Sequence, residues 1–149
     1  MLAPQSCSFC QIVRQELDAY VVLDDEHCLG FLDHRPLFPG HCLLVPRAHH
    51  ETLADLPAAS IEPLFRDARR LSAAVEQAMA ADGSFVAINN RVSQSVPHLH
   101  VHVVPRRKGD GLRGFFWPRK SYEGPQAMAE VQGRVREAVA ALDGAGKRA

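Results

Sequence analysis

The chain has 149 residues, with 17 basic and 17 acidic side chains and zero net charge when histidine is neutral. That length suits one domain able to bury a core without staples, and the balanced charge gives no global pull towards nucleic acid or anionic lipid. No apolar run approaches the ~18 residues of a membrane span. The opening Met-Leu-Ala-Pro-Gln-Ser also lacks the basic and apolar regions of a signal peptide, so a cytoplasmic protein with no membrane or nucleic-acid partner is expected. Its four cysteines then read as thiols or ligands rather than disulfides.

In chain order, Phe9, Ile12, Val13 and Leu17 have helical spacing and predict a short helix from Ser8 to Leu17. A strand over Tyr20–Leu23, a turn at Asp24–His27 and a return strand over Cys28–Leu32 form a hairpin. Pro36, Pro39 and Gly40 mark a loop, and His41–Val45 is a third strand closed by Pro46. Ile61, Leu64, Phe65, Ala68, Leu71, Val75 and Met79 follow the 3.6-residue period, which predicts a long amphipathic helix from 58 to 81. Pro63 is tolerated near its start and Gly83 stops it. Phe85–Ile88 is a fourth strand. Met128, Val131, Val135, Val139 and Leu142 give a C-terminal helix, leaving Asp143 to Ala149 as a disordered tail. Hairpins around one long helix predict an α+β fold with a mainly antiparallel five-stranded sheet, in a single domain over residues 1–142.

The fifth strand carries the chemistry. In Pro-His-Leu-His-Val-His-Val-Val-Pro, residues 97–105, His98, His100 and His102 alternate with Leu99, Val101 and Val103. A strand of period two sends the imidazoles to one face and the aliphatics to the other. Three imidazoles so placed fit three roles: buried structural groups, a metal centre, or a nucleophile with a neighbouring acid.

The run fits the His-φ-His-φ-His-φ-φ motif, φ being apolar, and resembles the histidine-triad superfamily of nucleotide hydrolases and transferases. Phe31-Leu-Asp33-His-Arg35-Pro resembles that family's nucleoside-binding loop, and Pro39-Gly-His41-Cys-Leu-Leu-Val-Pro46 its next strand. Asn89-Asn90 with Gln94-Ser95-Val96 resembles its approach to the triad. The likeness spans residues 7 to 107. It implies that His100 attacks the α-phosphorus of a nucleotide and forms a nucleotidyl-histidine that water hydrolyses. His100 would donate from its other nitrogen to the carbonyl of His98, and His102 would meet the phosphate or leaving group. Asp33 would accept from the ribose hydroxyls, Asn89 orient phosphate or sugar, Gln94 support the phosphate site, and Ser95 donate near the leaving atom. A third histidine, where uridylyltransferase relatives carry glutamine, implies the hydrolase branch. The implied protein is a homodimer acting on a purine nucleotide, either an adenosine phosphoramidate or a dinucleoside polyphosphate. The alternative is a non-catalytic nucleotide-binding protein on the same scaffold.

The family has a glycine-rich turn where this chain reads Asn89-Asn-Arg-Val-Ser-Gln94, shorter and without glycine. That leaves the role open between Asn89 and Asn90, with Arg91 either supplying a charge or lying exposed. The aromatic segment 109–123 either caps the site or packs at an interface. Cys7-Ser-Phe-Cys10 has metal-ligand spacing; the alternatives are two inert thiols or a redox pair, and no βαβ context follows to suit the latter. The resemblance completes a structural Cys₂His₂ zinc site with His49 and His98, His50 being a solvated neighbour. Cys28 and Cys42 read as core, His27 as a turn residue, and His41 as a possible support behind the triad.

Overall fold

The computed structural model describes residues 6–112 and 120–146, with side chains to residue 142. Two compact units divide between residues 110 and 111. The first holds helix α1 (Ser8–Val13), strands β1 (Val21–Asp24), β2 (Cys28–Leu32) and β3 (Cys42–Pro46), the long helix α2 (Ala58–Ala78), and strands β4 (Gly83–Ile88) and β5 (Val101–Arg106). The second holds helix α3 (Pro125–Gly146). No helix among the described residues is long and apolar enough to cross a membrane.

The five strands form one sheet in the order β1-β2-β3-β5-β4, antiparallel at every pairing. Both faces are covered, which explains why β3 is buried at every position. On one face Cys28, Cys42, Leu44, Leu99, Val101 and Val103 pack against Leu64, Ala68, Leu71 and Val75 of α2. On the other, Leu29, Phe31, Leu43 and Val45 pack with Cys7, Phe9 and Cys10 around α1. The aliphatics of the histidine run thus build the α2 core, and period two leaves the imidazoles to the α1 side.

Several element ends differ from expectation. α1 stops at Val13, four residues early, because Gln15 takes a left-handed backbone (φ 61°). α2 ends at Ala78, with Ala80 in the left-handed conformation (φ 47°) that Gly83 was expected to supply. Gly83 instead opens β4, in register with Arg106. The ladder of β5 begins at Val101: before it, the amide of Leu99 donates to the carbonyl of His50 (2.6 Å), tying the chain to the segment after β3. Pro105, the last residue of the histidine run, pairs with Ser84 inside the strand. α3 continues through Gly146, so its last turn occupies part of the expected tail. Residues 147–149, and 113–119 of the aromatic segment, lie outside the described residues.

Gly40 is required where it stands. Its φ is 94°, and a β-carbon there would come within 2.6 Å of Met79. This close approach lets the chain enter β3 immediately after the turn, which sets His41 beside β5.

Candidate active site

Main-chain groups fix which nitrogen of each triad histidine carries its proton. His98 donates from Nε2 to the carbonyl of Pro46 (2.9 Å), and His100 donates from Nδ1 to the carbonyl of His98 (2.7 Å). A carbonyl only accepts, so a neutral His98 has a bare Nδ1 and a neutral His100 a bare Nε2. His102 is set from further away. The amide of Leu37 donates to Nδ1 of His41 (3.1 Å), so the neutral ring of His41 carries its proton on Nε2. That nitrogen lies 3.0 Å from Nδ1 of His102. His102 accepts there and keeps a proton on Nε2, a buried atom with no protein partner among the described residues.

Burial keeps these rings neutral. Desolvation pushes His100 below its ordinary value, although its hydrogen bond to His98 and the charge of Asp33 both favour the cation. Desolvation, then the neighbouring His100 and His41, push His102 down to about 4. Burial likewise lowers His41. A neutral imidazole with a bare Nε2 is the nucleophilic form, and His100 is in it.

His100 and His102, their ring centroids 4.9 Å apart, line a cavity of about 430 Å³ together with Asp33, Ser95, Phe9, Phe31 and Leu43. That volume suits a small organic ligand. Its walls combine aromatic and aliphatic side chains with a few polar groups. Asp33 accepts from the amide of Arg35 (2.9 Å), which shapes the turn carrying it. Its other oxygen lies 3.7 Å from Nδ1 of His41. His34 and Arg35 also line the cavity.

Two of the expected substrate contacts stand elsewhere. Neither Asn89 nor Gln94 is among the residues lining the cavity. Gln94 uses both ends of its amide within the fold, donating to the carbonyl of Glu51 (2.6 Å) and accepting from the amide of Arg91 (2.7 Å). Asn90 accepts from the amide of Leu53 (2.8 Å). These bonds brace a loop that lacks glycine and places Arg91 and Ser93 at φ 67° and 58°. The hydrogen bonds from Thr52 hold the Asp55 carboxyl below its ordinary value, and the charge of Arg91 adds to that effect.

A second cluster adjoins the triad. Cys7, Cys10, His49 and His98 bring one ligand atom each to within 4.8 Å of one another. The Sγ of Cys10 lies 3.3 Å from Nδ1 of His49 and 3.5 Å from Nδ1 of His98, and Cys7 is 3.5 Å from the same His98 nitrogen. A tetrahedron of ligands ~2.0–2.3 Å from zinc has edges of about 3.5 Å. The nitrogen of His98 that faces the thiols is its bare one, as a ligand requires. Burial and the neighbouring Cys7 push the Cys10 thiol up to about 11, a cost that a bound cation would reverse. Donor types, spacing and tautomer therefore all fit zinc. His50 offers the structure its carbonyl, to Leu99. Cys28 and Cys42 are buried in the α2 core.

Comparison with known proteins agrees with this geometry. The HIT domain family matches residues 14–109. An uncharacterized HIT-like protein of Methanocaldococcus jannaschii is 35% identical over 129 residues, covering 85% of this chain and 99% of that protein. An adenosine 5'-monophosphoramidase of Saccharomyces cerevisiae is 31% identical over 115 residues, covering 76% of this chain and 70% of the yeast protein. Among solved structures, a zinc-bound histidine triad family protein of Mycobacterium smegmatis superimposes with a TM-score of 0.70 at 36% identity, covering 96% of this chain and 99% of the other. With the fold, the triad and more than half of the chain in agreement, the protein belongs to the HIT domain family.

Proposed function

We propose that the protein is a nucleotide hydrolase that cleaves at the α-phosphate of a purine nucleotide through a nucleotidyl-histidine intermediate. The observation that carries this reading is the pair of complementary tautomers on adjacent rings. His100 presents a lone pair and His102 an uncommitted N–H, on two rings that line one cavity. Nε2 of His100 attacks phosphorus as the bond to the leaving group breaks, and water later cleaves the phosphorus–nitrogen bond. The Nε2 proton of His102 and the hydroxyl of Ser95 donate hydrogen bonds to the phosphate oxygens or the departing atom, where charge develops. Asp33 accepts from the ribose, and Phe9 and Phe31 flank the base.

Similarity to the yeast adenosine 5'-monophosphoramidase favours an adenosine phosphoramidate over a dinucleoside polyphosphate as substrate. The family's zinc-bound member supports zinc at Cys7, Cys10, His49 and His98. With four protein ligands and no open position, such an ion is a structural cross-link between the N-terminal segment and the sheet. We also place the protein in the cytoplasm as a homodimer.

The test offers an adenosine phosphoramidate and a diadenosine polyphosphate to the wild type and to His100→Ala. Turnover of at least one substrate, falling in the variant by about 10³-fold or more, supports the hydrolase. Binding of AMP without turnover of either substrate identifies the non-catalytic nucleotide binder instead.

A further inference from the structure

Helix α1 belongs to two sites at once. Its N-cap Cys7 and its third residue Cys10 turn their thiols to the His49–His98 cluster, while Ser8, Phe9 and Ile12 line the cavity of the triad. Six residues are too few to hold a helix unaided, and Cys7 makes no side-chain capping bond. The helix therefore depends on what its side chains hold.

Phe9 is the bridge. It is 8% exposed and makes T-shaped ring contacts with His98 (centroids 6.0 Å apart), with His100 (5.2 Å) and with Phe31 (5.4 Å). His98 closes a second path. Its ring faces the thiols, and its carbonyl holds the proton that leaves Nε2 of His100 bare.

We infer that metal binding at Cys7, Cys10, His49 and His98 and nucleotide binding in the cavity are energetically coupled through α1, with Phe9 as the positioning residue. The inference rests on the nucleotide and zinc readings given above. A metal that gathers the two thiols seats α1, and seating α1 places Phe9 against the nucleophile and completes the cavity wall. A nucleotide that packs on that wall holds α1 in the position the metal needs. Linkage makes the effect reciprocal: the factor by which metal raises nucleotide affinity equals the factor by which nucleotide raises metal affinity. A coupling of about 10-fold lies within the usual range for two linked sites.

The experiment measures AMP binding by calorimetry to zinc-loaded and chelator-stripped protein, with far-ultraviolet circular dichroism confirming that both are folded. It then measures zinc affinity against a chromophoric chelator with and without saturating AMP. Matching factors of about 10-fold in both directions support the coupling. Equal AMP affinities with unchanged zinc affinity overturn it and leave the nucleotide reading intact. No AMP binding by either form overturns both. If stripping unfolds the protein, the rate of zinc transfer to chelator from the loaded protein decides: AMP slows it if the sites are coupled and leaves it unchanged if they are not. Phe9→Leu should keep one zinc per chain while its coupling falls towards unity, and undiminished coupling in that variant overturns the role given to Phe9.

Discussion

His41 and His102 meet across 3.0 Å, Nε2 to Nδ1, and this contact decides which proton His102 offers the cavity. His41 can donate there because the amide of Leu37 occupies its other nitrogen, and it is 3% exposed, with little access to water. Without His41, the ring of His102 is free to carry its proton on Nδ1, leaving Nε2 unable to donate. His41→Ala is therefore expected to lower kcat by about 10–100-fold, the usual cost of losing a group that orients a site ligand, with a smaller change in KM. His41→Gln, which keeps an N–H donor, should recover part of that loss. Nitrogen-15 chemical shifts of the His102 ring report the tautomer directly. A wild-type pattern in His41→Ala would remove the basis of the claim.

Burial of neutral imidazoles also sets the sign of the pH dependence. His102 has an ordinary value of 6.5 and is held down to about 4 in the fold. Between those values the unfolded chain binds a proton that the folded chain does not, so its contribution to stability is complete above 6.5 and is lost as pH falls towards 4. The full difference corresponds to up to about 3 kcal/mol. Urea unfolding of the wild type and His102→Gln from pH 7.5 to 4.5 checks this: the wild type should lose more stability on acidification than the variant. Activity should fall in the same direction, because the attack proposed for His100 needs its neutral ring. Its lowered affinity for the proton puts the acid limb of kcat/KM below 6.5.

The division of labour among the triad histidines was only partly legible in the sequence. Period two identified the shared face, because Leu99, Val101 and Val103 had to reach the core that α2 covers. Which nitrogen of each ring stays bare depends on the carbonyl of His98, a bond that the resemblance implied for His100, and on two that it did not, the carbonyl of Pro46 and, through His41, the amide of Leu37. Two of these three groups are distant in the chain from the rings they fix, and a main-chain group leaves no mark in residue identity. The bracing role of Gln94 was hidden for the same reason, since its partners are the main chain of Glu51 and Arg91. Helix ends shifted where non-glycine residues, Gln15 and Ala80, adopted positive φ, a choice that local propensity disfavours.

The neighbours His49 and His50 differ in what they give the fold, so substitution should separate them. His49 offers a ring nitrogen 3.3 Å from the Sγ of Cys10, whereas His50 offers a carbonyl that any residue possesses. If zinc occupies the proposed site, His49→Ala is expected to weaken its binding sharply, as loss of one of the four proposed ligands should, while His50→Ala retains one zinc per chain. Metal content by mass spectrometry after dialysis against a weak chelator distinguishes them. Equal retention by both variants would exclude His49 as a ligand.

Asp67 ties helix α2 to the β1–β2 turn. It is fully buried on α2 and accepts from Arg70 (2.9 Å), with Arg66 at 3.5 Å. Both arginines also approach Asp25 (3.5 and 3.7 Å), which caps the β1–β2 turn by accepting from the amides of His27 and Cys28. The group thus links the long helix to the hairpin. Removing the carboxylate does not strand the arginines, because their side chains are 40% and 57% exposed and rehydrate. The expected cost of Asp67→Ala is therefore about 1–3 kcal/mol, that of a broken buried hydrogen bond, rather than the larger penalty of a stranded buried charge. Asp67→Asn, which keeps an acceptor for Arg70, should lose less. Denaturant unfolding at neutral pH orders the two variants, and an equal loss would mean that the charge itself, rather than the hydrogen bond, holds α2 to the turn.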